Sequence, residues 1–455
     1  MQINLPNDFE SRMKKMLGEE YESFLKAFLT DEINVGIRLN KNKRNTELLF
    51  SKILKTCEKV EWCDDGYYCS KSIISGNHPY HMAGMCYFQE PSAMSVVETL
   101  KIKKDDYVLD LCAAPGGKAT QAGLKLSDEG LLIANEIIPK RAQILAENIE
   151  RMGIKNAIVT NESPEKLVDK FENFFDKIIV DAPCSGEGMF RKETQAVEEW
   201  SINHTKTCAV RQGHILDCAY KMLSGGGSLV YSTCTFAPVE NEEAVTQFLE
   251  KHPDMHLVDT GLYMLEDGRN EWSNSEIDVS LTKRIFPHKN KGEGHFLAVF
   301  EKDGEKSERH SSLYKKDKKN DEAVKLYKEF ERDTLNITLN GDFRLFGDNL
   351  YLVPHSVNLD KIKVVRAGLY LGVIKKNRFE PSHTLLLALS REDFKKSISF
   401  EHSSCELSKY LHGETLKGDM SGYVCVCVDE NPIGWTKGSG GVLKNHFPKY
   451  LRLLK

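Results

Sequence analysis

Between residues 107 and 232 lie five short apolar runs: YVLDL (107–111), LLIAN (131–135), AIVT (157–160), KIIVD (177–181) and SLVYS (228–232). Each ends at a polar or glycine-containing turn. Apolar runs of this length without polar alternation suit strands covered on both faces. The segments between them carry helical apolar spacing. PKRAQILAENIERM (139–152) opens at Pro139 and is followed by Gly153, residues that favour the start and the stop of a helix, and 205–223 has the same spacing. This alternation predicts an α/β fold with a doubly wound, mostly parallel sheet, whose ligands gather at the carboxyl ends of the strands.

A chain of 455 residues exceeds what one hydrophobic core organises, so several domains are expected. Residues 101–302 form the central one. Within it KRIFPHKNKGEGHFLAVF (283–300) has the form of two strands around a Lys/Gly-rich turn, an antiparallel addition to the sheet edge. Residues 1–100 form an N-terminal α+β attachment, with helical spacing over 9–29 and a strand-like INVGIRLN (33–40). Residues 303–325 are dominated by charge and mark a solvated linker or exposed helix. Two small β-rich C-terminal modules, 326–395 and 396–455, follow from LYLGVIKK (369–376), HTLLLALS (383–390) and GYVCVCVDE (422–430).

No apolar run is long enough to cross a bilayer, and the first residues lack the basic-then-apolar pattern of a secretory signal, so no membrane and a cytoplasmic location are expected. The twelve cysteines follow no disulfide-scaffold spacing and read as reduced thiols; without Cys-x2-Cys or His-x3-His pairs, no metal is expected. A net charge of −5 leaves room for a local basic face among 62 Lys and Arg residues.

Three segments carry chemistry. DLCAAPGGKATQ (110–121) passes from strand through Gly116 and Gly117 into a helix, so a small molecule can lie against backbone amides at the helix start. Its spacing differs from dinucleotide and P-loop patterns, which points to another nucleoside-containing cofactor, with Glu136 at the next strand end suited to ribose hydroxyls. DKIIVDAPCSGEGMFRK (176–192) delivers Asp181 and Cys184 to the same edge, with glycines 186 and 188 for a close-packed loop and Arg191 and Lys192 available to phosphates. SLVYSTCTFAPVENEEAV (228–245) brings Cys234 there too, so two thiols converge on one crevice. C5 of cytosine is too poor a nucleophile to take a methyl group from a sulfonium, but a thiolate adding at C6 makes C5 enamine-like. A second acid/base group then helps remove the C5 proton and expel the thiol, while a carboxylate such as Asp181 can pair with the exocyclic amine. Cys112, Cys208 and Cys218 read as packing residues, Cys425 and Cys427 as one core face of a strand, and Trp435 as either a base stacker or a turn anchor.

LPNDFESRMKKMLGEEY (5–21), HMAGMCYFQEPSAM (81–94), CAAPGGK (112–118), DAPCSG (181–186), STCT (232–235) and RIFPHKNKGEGHF (284–296), in this order, resemble the NOL1/NOP2/Sun family of RNA cytosine-5 methyltransferases across residues 1–302. The resemblance implies a Rossmann-like class I methyltransferase fold. It implies S-adenosylmethionine held by Cys112, Ala113, Ala114, Pro115, Gly116, Gly117, Lys118, Glu136, Ser163 and Asp181, with Cys234 attacking C6, Cys184 aiding product release and Asp181 orienting the base. Ser163 stands where the family often has an aspartate that contacts adenine.

GLYLGVIKKNRFEPSH (368–383) and DENPIGWTKGSGGVLKNHFPKYLR (429–452) are similar to the longer bacterial members that act on small-subunit ribosomal RNA, and the chain's end resembles a PUA-type RNA-binding module. The implied target is a cytosine in the decoding region of 16S rRNA, free or in the 30S particle, methylated by a monomer. The basic segments KVVRAGLYLGVIKK (363–376) and LKNHFPKYLRLLK (443–455) suit RNA reading. Transfer RNA is the alternative substrate, and an RNA-binding assembly factor with vestigial activity is the alternative role. Methylation of an exocyclic amine is disfavoured, because Asp-Ala-Pro-Cys lacks the aromatic stacker of such sites.

Overall fold

The computed structural model describes residues 4–29, 35–69, 73–306, 318–354 and 357–453. The helical spacing over 9–29 becomes two helices, Asn7–Leu17 and Tyr21–Phe28, because Gly18 breaks the first at φ 53° and a 3-10 turn, Gly18–Glu20, joins them. Their apolar faces, including Phe9, Met13, Phe24 and Phe28, pack against Phe190, Trp200, Phe236, Trp272 and Phe286 of the central domain. Four short antiparallel strands follow, β1 (Val35–Leu39), β2 (Glu58–Val60), β3 (Cys63–Cys69) and β4 (Cys86–Phe88), in the order β2-β3-β1-β4.

The five apolar runs form the heart of a ten-stranded sheet. β5 (Tyr107–Asp110) lies at its centre, β6 (Leu131–Asn135) and β7 (Ala157–Thr160) on one side, β8 (Phe175–Asp181) and β9 (Leu223–Thr233) on the other, all parallel. Strand order therefore reverses at β5, the switch point where a crevice opens outside the carboxyl ends. Alternate residues feed two cores. Val108, Leu132, Val159 and Ile179 meet Leu145 and Ile149 of the helix Pro139–Arg151, while Leu109, Ile133, Ile158 and Ile178 meet Phe171 and Leu216 on the opposite face. Continuous apolar runs are required because both faces are covered.

Beyond β9 the sheet turns antiparallel. β10 (Met255–Leu257), β11 (Glu266–Asp267), β12 (Lys283–Ile285) and β13 (His295–Lys302) extend it, with β13 paired to β9 along Phe296–Glu301. Of the charged run 303–325, residues 307–317 lie outside the described residues; its end enters the helix Lys318–Thr334, which buries Ala323, Tyr327 and Phe330.

The C-terminal part holds β14 (Asp342–Phe346), β15 (Asn349–Val353), β16 (Val364–Ala367), β17 (Leu369–Lys375) and β18 (Arg378–Pro381), then a five-stranded sheet over residues 397–445. β16 leaves its neighbours and pairs antiparallel with β7, so the C-terminal extension supplies the last strand of the central sheet. Buried Arg366 fastens it, donating to the carbonyls of Gly368 and Ile154, both at 2.8 Å. HTLLLALS does not form a strand. Ser382 accepts from the Leu385 N–H and starts the helix His383–Leu387, whose leucines are buried around its circumference. Trp435 neither stacks on solvent-facing bases nor anchors a turn: it is buried with Phe330, Phe394, Cys425 and Cys427, its indole N–H bonded to Ser382 O. Cores also cross between sequence-distant parts, since Ile37, Phe50 and Tyr80 share a cluster with Tyr410, Val426 and Phe447.

Arg366→Met keeps side-chain bulk but leaves two buried carbonyls without their donor. We expect a loss of about 3 kcal/mol in unfolding free energy, measured by chemical denaturation. An unchanged midpoint would mean that β16 is held by other contacts.

Candidate active site

The loop after β5 is pinned from all sides. Ala113 N–H donates to Asn135 O at 2.8 Å, Arg141 donates to Ala114 O and Asn148 to Pro115 O, and the Ala114–Pro115 bond is cis. Gly116 sits at φ 115°, where a side chain is strained, and a Cβ there would press on Leu145 at 3.3 Å. The helix Gly117–Gly123 follows, held by buried Arg38 of β1, which bonds Gln89, Gly117 O and Thr120. Lys118 points back across the crevice to Asp181 at 2.8 Å.

Asp110 closes β5 fully buried, its carboxylate accepting from the Cys112 backbone N–H. Burial, then the nearby Asp181 charge, push its carboxyl up to about 8. A buried carboxylate beside a glycine loop, with most of its acceptor capacity unused, suits a ligand that brings positive charge and donors. Glu136, buried at the end of β6, accepts from Ile138 N–H at 2.9 Å and faces Arg141 at 3.4 Å. Ser163 precedes the helix Pro164–Phe171 and bonds Glu165. Its neighbours Asn161 and Glu162 are gripped by Lys363, just ahead of β16, through the Lys363 side chain and N–H respectively.

The two thiols meet. Cys184, three residues past β8, and Cys234, directly after β9, stand with sulfurs 3.4 Å apart. Their loops are fastened by buried Glu240. Ser185 gives it both N–H (3.0 Å) and hydroxyl (2.5 Å), Gln212 adds a donor at 2.9 Å, and the Ser185 hydroxyl also meets Thr235 at 2.9 Å. Burial pushes Glu240 up to about 7. Gly188 donates to Cys234 O at 2.8 Å, and a Cβ there would sit 2.9 Å from that oxygen, so only glycine fits. The Cys184 thiol is raised well above its ordinary range, first by sharing a hydrogen bond with Cys234 and then by burial.

Asp181 is ionised and oriented. Despite burial, Lys118 holds its carboxyl below the usual range, and Ser232 donates to Oδ1 at 2.8 Å. His295, the first residue of β13, lies 3.8 Å from the same oxygen.

The structure thus gathers Asp181, Cys184, Cys234 and Lys118 at one edge, with the 112–118 loop, Glu136 and Ser163 at the ends of the adjoining strands. Arg191 does not reach out for phosphates, whereas Lys192 stays exposed. Arg191 is buried against Glu293 at 3.3 Å, and Lys192 pairs with the same carboxylate at 3.4 Å. Asp110, Glu240 and His295 went unassigned in the sequence, although each sits inside a quoted motif. Cys208 and Cys218 are buried, and Cys112 packs at the core margin. Among the described residues, Glu165, His214 and Cys218 are close enough to share a metal ion.

Four family models match the chain: 16S rRNA methyltransferase RsmB/F over residues 97–301, the N-terminal domain of 16S rRNA methyltransferase RsmF over 5–91, the RsmF first C-terminal domain over 329–389 and the RsmF PUA domain over 397–453. Ribosomal RNA small subunit methyltransferase F of Shewanella baltica (strain OS185) is 30% identical over 421 residues, covering 87% of this chain and 85% of that protein. The protein of the same name from Erwinia tasmaniensis is 27% identical, covering 99% and 97%. A solved methyltransferase homolog from Pyrococcus horikoshii is 25% identical with a TM-score of 0.58, covering 66% of this chain and 96% of that one. NSun6 from Pyrococcus horikoshii, solved with SFG, is 22% identical with the same TM-score, covering 67% and 100%, and shares the fold.

Asp110→Asn removes the buried titration. With a folded value near 8 against an ordinary 3.8, the wild type loses stability as pH rises between these values and levels off above. The stability of the variant relative to wild type, measured by denaturation of cofactor-free protein, should therefore climb across that window. A flat difference would show that Asp110 is not held protonated.

Proposed function

The chain belongs to the family of ribosomal RNA small subunit methyltransferase F, and from that premise we propose that it forms 5-methylcytosine in the decoding region of 16S rRNA. The donor is S-adenosylmethionine and the nucleophile is Cys234. The observation that carries this reading is the 3.4 Å pair of thiols at the carboxyl edge of β8 and β9.

The residues present fit the donor. The 112–118 loop and the buried Asp110 suit its charged amino-acid end, Glu136 its ribose, and Ser163 the region of its base. When bound, S-adenosylmethionine supplies an electrophilic methyl group. All other chemistry belongs to the chain. The two sulfurs lie within hydrogen-bond reach, and the Cys184 thiol is raised well above its ordinary range, so Cys184 is the S–H partner that donates toward the Cys234 sulfur.

Cys234 Sγ adds to C6 of the target cytosine. The S–C6 bond forms, the C5=C6 electron pair moves into C4–C5 and the C4=N3 pair onto N3, and C5 becomes the nucleophilic carbon of an enamine. Asp181 and Lys118 sit as an acceptor and a donor for the polar edge of the base. After methylation a water in the crevice takes the proton from C5, the C–H electron pair re-forms the C5=C6 double bond, and the S–C6 bond breaks with its pair left on sulfur. The departing sulfur is a thiolate again, and the Cys184 S–H stabilises it by hydrogen bonding, which is how Cys184 assists release. The C-terminal extension, built against β7 through β16, presents the RNA-reading surfaces, and the enzyme works as a cytoplasmic monomer on the small-subunit particle or its RNA.

Cys234→Ala should lower methyl transfer by at least about a thousandfold, measured with labelled donor and RNA. Cys184→Ala should instead accumulate a protein–RNA adduct stable on denaturing gels. Bisulfite sequencing of small-subunit rRNA and tRNA from cells lacking the gene maps the site. Full activity in Cys234→Ala would end the covalent route.

A further inference from the structure

Asp181 faces a second acceptor across the crevice. The His295 side chain is buried, its residue 5% exposed, and its ring is bonded to the backbone of Gly294. Its Nε2 has no hydrogen-bond partner and lies 3.8 Å from Asp181 Oδ1, beyond hydrogen-bond reach. The ring cannot retreat easily. Gly294 sits at φ 116°, and a Cβ there would collide with the Phe236 ring at 2.4 Å, so this backbone is wedged in place. Burial, then the Lys118 charge, push His295 down to about 4, so its imidazole is neutral at physiological pH and Nε2 offers a lone pair.

Two acceptors facing each other at this spacing, one a carboxylate and one a neutral imidazole, are jointly satisfied by a group with two N–H bonds. A buried polar atom left without a partner is costly, so the arrangement anticipates such a donor. We propose that His295 is a specificity-determining residue, which accepts one N–H of the 4-amino group of the target cytosine while Asp181 accepts the other. The proposal rests on the reading of cytosine as substrate. It also supplies discrimination. Uracil presents an oxygen at that position, which would bring a third acceptor against the other two and leave His295 Nε2 without a donor.

The test uses the full chain and an RNA oligonucleotide spanning the position mapped by bisulfite sequencing, made with either cytidine or zebularine, which lacks the 4-amino group. His295→Phe fills the space without an acceptor; His295→Gln restores one. We expect His295→Phe to lower kcat/KM for methylation of the cytidine RNA about tenfold. Its rate of covalent adduct formation with the zebularine RNA should stay within about twofold of wild type, and His295→Gln should recover part of the cytidine loss. Equal losses on both RNAs, or no loss on cytidine, would overturn the proposal, the first by making His295 merely structural. A wild type that neither methylates cytidine RNA nor traps zebularine RNA would instead defeat the reading of the substrate, and this inference with it.

Discussion

The thiols face each other because one buried carboxylate holds both of their loops. Glu240 takes the backbone and hydroxyl donors of Ser185, next to Cys184, and through the Ser185 hydroxyl reaches Thr235, next to Cys234. Burying a carboxylate is costly, and here the cost is offset by hydrogen bonds from Ser185 and Gln212. The separation of the sulfurs is therefore a property of the network and not of either loop. A second carboxylate, Glu187, extends the same logic outward. It accepts from Trp200 and from Phe236 N–H and pairs with Arg12, so the N-terminal helices are tied to the roof of the crevice.

The segments outside the central sheet are structural parts of the crevice rather than appendages. Arg38 of β1 holds the start of the helix after the glycine loop, and β16 covers the free edge of β7. Lys363 then grips Asn161 and Glu162 beside Ser163. The first and last parts of the chain also meet each other: Tyr80 donates to Asp429, and their surroundings share an apolar cluster. The extension is thus joined through packed side chains and hydrogen bonds to the segment around Ser163.

The parallel strands and the residues at their ends were legible because both signals are local. A doubly buried strand needs an unbroken apolar run, and a chemical residue at its carboxyl end follows immediately in sequence. Asp110 was harder, since nothing in DLCAAPGGK reveals how deeply its carboxylate is buried. Glu240 and His295 matter through neighbours far along the chain, Ser185 and Asp181, and such contacts exist only after folding. Arg191 was misread because a cation beside a catalytic loop suggests phosphate, whereas Glu293 on the β12–β13 connection neutralises it. HTLLLALS misled for a different reason: a leucine run buried all round has no amphipathic period, and Ser382 decided the helix. β16 is four residues long and gives no sign that its partner is β7.

That partnership has a consequence in time. Lys363 follows Asn161 by 202 residues, so a ribosome making this chain at about 5–20 residues per second finishes β7 roughly 10–40 s before the strand that covers it emerges. Through that interval β7 presents a row of unpaired amides and carbonyls to whatever is nearby, the kind of edge that recruits stray strands. The nascent chain is therefore exposed to mispairing at its donor side until the extension arrives, and a truncated product would keep that edge open for good.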